Sequence, residues 1–491
     1  MKLRASLNRH HNAAVAGIVL LWTVAGASVE QAEPVQLTAQ VITLPTGAGK
    51  PIFADVDGDG RAELLVIDQD AKKVLSYHQG ANGFASSPEQ AIDLPPQTGW
   101  VALCDVEAHP GLELLMSTAS GLVYSRQNNG RFESERHTLI EASQVFTNID
   151  NPILITLNTN TPGTNDVIPV ISAGQAVLYH RNADYVWSPE PPQDLDTKKA
   201  TWGLTSLWQR NTWGMGMNPG HSLFIQQSFR VRPDEKSDTE PENEAIRKLI
   251  EDMKTAAHGS PVNQEKVDVD GDGREDLVVW QVSGNTDFKT DCYFFLRGAD
   301  GKLPDRPTQI LHGRGMPIPL GNEYTWLPMA DLNGDGACEL VLLEFKTKVM
   351  SVGGMLETAI SHGLDWAVTI RSFRHGAFSS GAEASLPLTM ILPAEVLNGW
   401  PICIKGDFNG DGRPDLLARR SNTQWNIYMS TADGHWFESQ PAMTFEAPTQ
   451  GYIVVNELNG DGLADIIWYE PDDNRLSIFM SPSKPAKGNK P

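Results

Sequence analysis

Asp55-Val56-Asp57-Gly58-Asp59-Gly60-Arg61-Ala62-Glu63, followed directly by Leu64-Leu65-Val66-Ile67, is the stretch that decides the fold. Oxygen-bearing side chains stand at positions 1, 3, 5 and 9 of this loop, and a glycine stands at position 6. Alternate residues of a tight loop can turn carboxylates inward while the glycine makes the sharp bend, which is what a hard, oxygen-seeking cation such as Ca²⁺ requires. Four relatives follow. They supply Asp268, Asp270, Asp272 and Asp276; Asp331, Asn333, Asp335 and Glu339; Asp407, Asn409, Asp411 and Asp415; and Glu457, Asn459, Asp461 and Asp465. At position 7 (Arg61, Arg274, Ala337, Arg413, Leu463) the expected ligand is the backbone carbonyl, so the side chain is free to vary. The expectation is about five calcium sites.

An EF-hand would close with a glutamate at position 12 between two helices. Here the last acid comes at position 9 and is followed by Leu277-Val-Val-Trp280, Leu340-Val-Leu-Leu343 or Ile466-Ile-Trp-Tyr469. Such short runs of branched and aromatic residues predict buried strands. Two further copies are degraded. Asp105-Val-Glu107-Ala-His109-Pro-Gly111-Leu-Glu113 has a histidine at position 5 and a displaced glycine, and Asn158-Thr-Asn160-Thr-Pro162-Gly163-Thr-Asn-Asp166 keeps one formal charge. That makes seven units.

The similarity extends beyond the loop, and fixed-period self-similarity is the mark of a repeat architecture. A third strand ends near an aromatic, and an Asn-Gly or Asp-Gly turn leads to a fourth, as in Tyr77 to Asn82-Gly83-Phe84, Tyr124 to Asn129-Gly130-Arg-Phe132 and Tyr428 to Asp433-Gly434-His-Trp-Phe437. Four short antiparallel strands in each unit of roughly 50 residues describe a propeller blade. The fold expected is all-β, a seven-bladed β-propeller, with eight blades as the alternative if residues 196–232 form a loopless one. The last unit lacks a fourth strand, and the alternating segment Val35-Gln-Leu37-Thr-Ala-Gln-Val41-Ile-Thr-Leu44 has no loop of its own. Pairing the two would remove exposed edges and close the ring.

Asp-x-Asp-Gly-Asp-Gly-x-x-Asp/Glu followed by Leu-Leu-Val, with the downstream Gly-x-Phe, resembles the FG-GAP/VCBS repeats of integrin alpha subunits and exported bacterial proteins. The resemblance spans residues 50 to 480. It implies a β-propeller with calcium between the first and second strands of a blade, and it implies no single function, because the scaffold carries binders and enzymes alike.

Lys2, Arg4 and Arg9 precede an apolar stretch from Ala13 to Ala27 that ends Ala25-Gly26-Ala27, which predicts a signal peptide over 1–27 and an exported protein, periplasmic or extracellular. The expected domain is 28–481, with a polar tail over 482–491. Four cysteines are too few for a disulfide scaffold. The net charge of −22 would fall to about −12 with five Ca²⁺ bound, leaving an acidic surface that disfavours nucleic acid as a partner. A monomer without a membrane span is expected.

In such a blade the acidic loops share one face, and long connections belong to the other. Residues 196–262, 283–291, 346–366 and 385–399 are expected there, with Glu242 to Ala257 as an amphipathic helix lying across the propeller face. Trp100, Trp326, Trp400 and Tyr452 begin innermost strands, and the large insertion adds Trp202, Trp208 and Trp213. Exposed aromatics stack on sugars or anchor proteins, so these form the expected ligand face for a glycan or protein partner. The chain has no Gly-x-Ser-x-Gly, no His-Glu-x-x-His and no phosphate-cradling loop. A polysaccharide-degrading enzyme on the same face is the alternative.

Overall fold

A computed structural model describes residues 33–49, 51–81, 83–108, 111–142, 153–156, 167–172, 175–182, 184–189, 193–194, 244–256, 262–284, 288–317, 328–345, 363–391, 402–432, 435–448 and 451–482. Apart from one helix these are short strands in antiparallel sheets, consistent with a β-propeller. The first unit pairs Ile52–Ala54, Glu63–Asp68, Lys73–Tyr77 and Gln90–Asp93 in order. The second repeats this with Trp100–Cys104, Glu113–Thr118, Gly121–Ser125 and His137–Glu141. The fourth begins at Val262–Val267, the fifth at Met329–Ala330, the sixth at Ile402–Ile404 and the seventh at Tyr452–Asn456. In every case the acidic loop joins the first strand to the second.

The seventh sheet takes its fourth strand from the other end of the chain. Of the segment expected to pair there, Ala39–Thr43 does so, antiparallel with Arg475–Phe479 from Ala39 opposite Phe479 to Thr43 opposite Arg475, but Val35 and Gln36 do not. Just before it, Val35–Gln36 adds in parallel to the outer strand of the sixth sheet.

Neighbouring sheets meet through shared apolar cores, because residues alternate across each strand and carry apolar side chains to both faces of the sheets whose side chains are described. Val278, Trp280 and Phe294 of the fourth unit pack with Leu340, Leu342 and Phe378 of the fifth. Further cores join fifth to sixth, sixth to seventh, first to second and second to third. The seventh meets the first through Ile467, Tyr469 and Ile478 against Leu64, Val66 and Tyr77. A glutamine clamp accompanies this stacking. Gln90 of the first unit's outer strand donates to the carbonyl of Phe132 (2.5 Å) and accepts from its amide (2.9 Å) in the second unit's hairpin. Gln309 holds Phe378 in the same way, and Gln40 holds Phe84. Gln40 belongs to the strand borrowed from the N-terminal segment, so the seventh and first units are joined by the same device as internal neighbours. The glycine and phenylalanine of this hairpin are thus a junction signal: a Cβ on Gly83, at φ +98°, would lie 2.4 Å from Gln40 Oε1.

Three expectations need correction. The helix Glu244–Ala256 does not lie across the propeller face. Its stripe of Ile246, Ile250 and Met253 packs on Leu277, Val279 and Phe295, the flank of the fourth sheet turned away from the fifth. That flank is as apolar as the others, and the helix covers it. Residues 385–399 are not a plain connection, since Ala384–Ile391 is the outer strand of the fifth sheet, alternating buried and exposed side chains. In the third unit, Ile153–Thr156 pairs in parallel with Trp100–Cys104 and not with Val167–Ser172. Its loop begins with Asn158, which lacks the carboxylate that gathers backbone amides in intact loops.

None of the four cysteines forms a disulfide, and Cys104 and Cys403 lie in first strands. The signal segment, Trp202, Trp208, Trp213, Trp326, Trp400, the loop at 158 and residues 196–232 lie outside the described residues.

The borrowed strand predicts a pair of outcomes. Ile42 is 1% exposed among Leu64, Tyr77 and Ile478, so Ile42→Ala should destabilise by about 2–5 kcal/mol in urea unfolding. Val41, 54% exposed on the same strand, should tolerate alanine within about 0.5 kcal/mol.

Candidate metal loops

Each loop is built by its own side chains accepting its own amides. Asp55 receives the amides of Gly58 (2.7 Å), Asp59 (3.1 Å) and Gly60 (2.9 Å), so the first carboxylate winds positions 4, 5 and 6 around itself. Asp268 and Asp407 do the same to their loops. Asp331 holds Gly334 and Gly336, and Glu457, with its longer side chain, holds Asn459 and Gly460. Position 3 then accepts from the amide of position 5, and position 5 from that of position 7. The glycines at position 6 have φ of 87°, 82°, 91°, 86° and 75°, a region closed to most side chains. Several carboxylates therefore converge before any cation arrives. Asp55, Asp57 and Asp59 bring ligand atoms within 4.8 Å of one another, as do Asp268, Asp270 and Asp276.

Position 9 has a separate task. Its carboxylate is buried and accepts the amide of position 2: Glu63 from Val56 (2.9 Å), Asp276 from Val269 (3.0 Å), Glu339 from Leu332 (2.8 Å), Asp415 from Phe408 (2.7 Å) and Asp465 from Leu458 (3.1 Å). The degraded second loop keeps the same bond, Glu113 to Val106 at 2.8 Å. Where position 9 is aspartate, the other oxygen accepts a second amide from just beyond the third strand: Arg297 (2.6 Å), Ser430 (2.8 Å) or Ser481 (2.8 Å). Burial raises these carboxyls, to about 6 at Asp276, about 7 at Glu63, Asp415 and Asp465, and about 8 at Glu339. A dication among their neighbours would oppose that rise, because a nearby positive charge favours the ionised form.

At position 7, arginine side chains reach back to the position 5 carboxylate, Arg61 to Asp59, Arg274 to Asp272 and Arg413 to Asp411. Ala337 and Leu463 make no such pair. In the degraded loop arginines take over the acids altogether. Arg126 forks onto Glu107 with bonds of 2.7 and 2.8 Å, and Arg181 of the third unit reaches Asp105 at 2.8 Å. That loop carries its own cations.

At four junctions the loops of neighbouring units are bonded to one another. The amide of position 8 donates to a carbonyl in the preceding unit's loop: Leu112 to Val56 (2.7 Å), Cys338 to Val269 (2.9 Å), Ala464 to Asp407 (2.8 Å) and, across the chain's ends, Ala62 to Leu458 (2.8 Å). Of the expected ligand-face aromatics, Trp100 lies half-buried against the core between the second and third units, its amide donating to Ser117 Oγ. Tyr452 begins the seventh unit's first strand. The position 2 bond, the glutamine clamp and the arginine substitution went unread in the sequence, although the Phe of Gly-x-Phe and the arginines near the degraded loop were there to see.

Residues 268–342 and 407–468 match the FG-GAP-like repeat family, each stretch holding two of the acidic loops. The chain carries FG-GAP-like repeats. No curated protein matches it. Among solved structures, the chain is similar to a lectin from Agrocybe aegerita that recognises non-reducing terminal N-acetylglucosamine, at 14% identity over 82% of this chain and 79% of that one, with a TM-score of 0.28. A likeness of that degree carries no argument about ligand. Among the described residues, no helix is long and apolar enough to cross a membrane.

Two outcomes separate ligand from staple. Asp415→Ala strands two buried amides and should cost about 1–3 kcal/mol for each, with or without calcium; Asp411→Ala, which loses an exposed ion pair and the solvent-accessible Arg413 amide bond, should cost about 1 kcal/mol in EGTA and more with calcium present. The raised carboxyls also set a pH dependence. Folded Asp276, Asp415, Asp465, Glu63 and Glu339 hold protons more tightly than the unfolded chain, so their contribution in EGTA is complete below about pH 4 and is lost as pH rises through 6 to 8. Melting in EGTA should therefore fall between pH 5 and pH 8, and excess calcium should remove most of that fall.

Proposed function

We propose that the protein is an exported, calcium-stabilised β-propeller of seven blades that binds a glycan or protein partner through the face opposite its acidic loops. The observation that carries this reading is the repeated loop: five copies of one geometry, on one side of neighbouring sheets, each winding amides around a first acid. The ligands are Asp55, Asp57, Asp59, Glu63 and the Arg61 carbonyl in the first loop, and their equivalents from Asp268, Asp331, Asp407 and Glu457 in the others. Among the described position 9 acids, Glu63 alone has a buried oxygen without a hydrogen-bond donor, which suits a cation partner there. At the aspartates of position 9 the second amide competes with that role.

Seven blades are supported by the run of sheet-to-sheet cores from fourth through seventh to first and third, and ring closure by the pairing of residues 39–43 with the last sheet. The remaining junction, third to fourth, falls where residues 195–243 enter the chain, with Glu244–Ala256 on the fourth sheet's open flank. The tryptophans of that insertion, Trp202, Trp208 and Trp213, are the proposed ligand contacts. An exported location follows from the N-terminal pattern and from the abundance of calcium outside the cytosol, where weak sites fill.

At one to ten times its dissociation constant each site adds about 0.4 to 1.4 kcal/mol, so five sites add several. Calcium titration of the metal-free chain should give about five ions, and EGTA should lower the melting temperature by about 5 °C or more. On a glycan array with calcium, replacing Trp202, Trp208 and Trp213 by alanine should abolish binding and leave melting unchanged; binding that survives the triple variant places the ligand elsewhere.

A further inference from the structure

The first loop differs from its relatives in one donor. Its position 9 is a glutamate, as in the fifth unit's loop, but there Glu339 Oε1 accepts from Asn333 Nδ2 (3.3 Å), whereas position 3 of the first loop is Asp57, which has no N–H to give. At Asp276, Asp415 and Asp465 that second oxygen accepts from Arg297, Ser430 or Ser481. At Glu63 it meets the imidazole of His78 instead, with Nδ1 3.0 Å from Oε1 but outside hydrogen-bond geometry, and Oε1 is left buried with no donor. The Glu63 side chain is 0% exposed.

Asp57 completes the group. The carboxylates of Asp57 and Glu63 and a ring nitrogen of His78 bring ligand atoms within 4.8 Å of one another. The neighbouring unit roofs the cluster with Gly130 at φ +74°, where a Cβ would stand 3.0 Å from Asp57 Oδ2 and 3.5 Å from His78 Nδ1. Only a residue without a side chain leaves that space clear. The group therefore sits at the junction of first and second units, closed on one side by the hairpin turn after Gln127–Asn128.

We propose that Asp57, Glu63 and His78 form a site for a divalent d-block ion, of which zinc is the probe. Calcium takes oxygen ligands, whereas imidazole nitrogen favours zinc and its neighbours over calcium and magnesium. Two carboxylates offset the ion's charge, the neutral imidazole supplies the selective donor through Nδ1 with its proton on Nε2, and the orphaned Oε1 gains the partner it lacks. Three protein ligands leave a position for water or for a donor from an approaching molecule. Because the site shares Asp57 and Glu63 with the first acidic loop, zinc and calcium exclude one another there, while the other four loops lack a histidine in this place.

The test uses the full chain freed of metal and desalted. Equilibrium dialysis against zinc should show one ion bound per chain. His78→Ala should weaken that binding at least about 100-fold, more than the loss of a partner outside the ligand shell, and His375→Ala, which removes a histidine from a comparable turn in the fifth unit, should leave it intact. Cobalt in place of zinc should give visible absorption that disappears in His78→Ala. With zinc bound, the number of calcium ions taken up should fall by one. Zinc uptake that is equal in His78→Ala, or no uptake by the unaltered chain, overturns the proposal and leaves His78 as an ion-pair partner of Glu63. Calcium uptake by the zinc-free chain is read separately, so failure of the calcium loops cannot be mistaken for failure of this site.

Discussion

The architecture depends on a buried carboxylate. At the start of each second strand, position 9 accepts the amide of position 2 across the loop, at 2.7 to 3.1 Å in six loops including one that has lost its ion-binding pattern. A buried charged acceptor without partners would be costly, yet here it fixes the distance between the first and second strands of a unit. At three aspartates it also fixes the end of the third strand through a second amide. One side chain thus ties three strands of a sheet at one corner. The acids at positions 1, 3 and 5 face outward from that corner and shape the loop around a cation's place.

Two kinds of contact then align the corners of neighbouring units. Position 8 amides bond to the loop before them, and outer-strand glutamines clasp the phenylalanine backbone of the next hairpin. Both recur between the last unit and the first, where Ala62 bonds to Leu458 and Gln40 clasps Phe84. The N-terminal segment therefore acts as a fourth strand in pairing, in packing and in its clamp. Where the acidic pattern decays the junction is held otherwise. Arg181 reaches from the third unit to Asp105 of the second, a guanidinium standing where other loops gather acids.

Much of this was legible in the residues. Acid spacing located the loops, the branched runs after them located the second strands, and the alternation of Val35 to Leu44 located a strand in need of a partner. The apolar stripe of Ile246, Leu249, Ile250 and Met253 located a helix, but a stripe says only that something apolar lies beneath it. The fourth sheet's open flank, known only once the strands are paired, decided where it docks. The same limit hid Ala384–Ile391, expected as part of a connection but forming an outer edge strand, where the missing amide of Pro387 is tolerated. Position 9 looked like a ligand because carboxylates are the best ligands. Its burial and its bond to position 2 are tertiary facts, and they make it first a structural residue. Nothing in the sequence marks His78, whose ring meets the Glu63 carboxylate only in the fold.

The central claim is that the position 9 carboxylate holds each loop before calcium binds, and that the proposed calcium acts chiefly through the outer acids. Site-resolved hydrogen exchange with and without EGTA tests it most directly. The account predicts that the amides of Val56, Val106, Val269, Leu332, Phe408 and Leu458 stay strongly protected in EGTA, whereas those of Gly60, Gly273, Gly336 and Gly412 gain protection only when calcium is added. Rapid exchange at the first set in EGTA, or protection of both sets rising together with calcium, would contradict it.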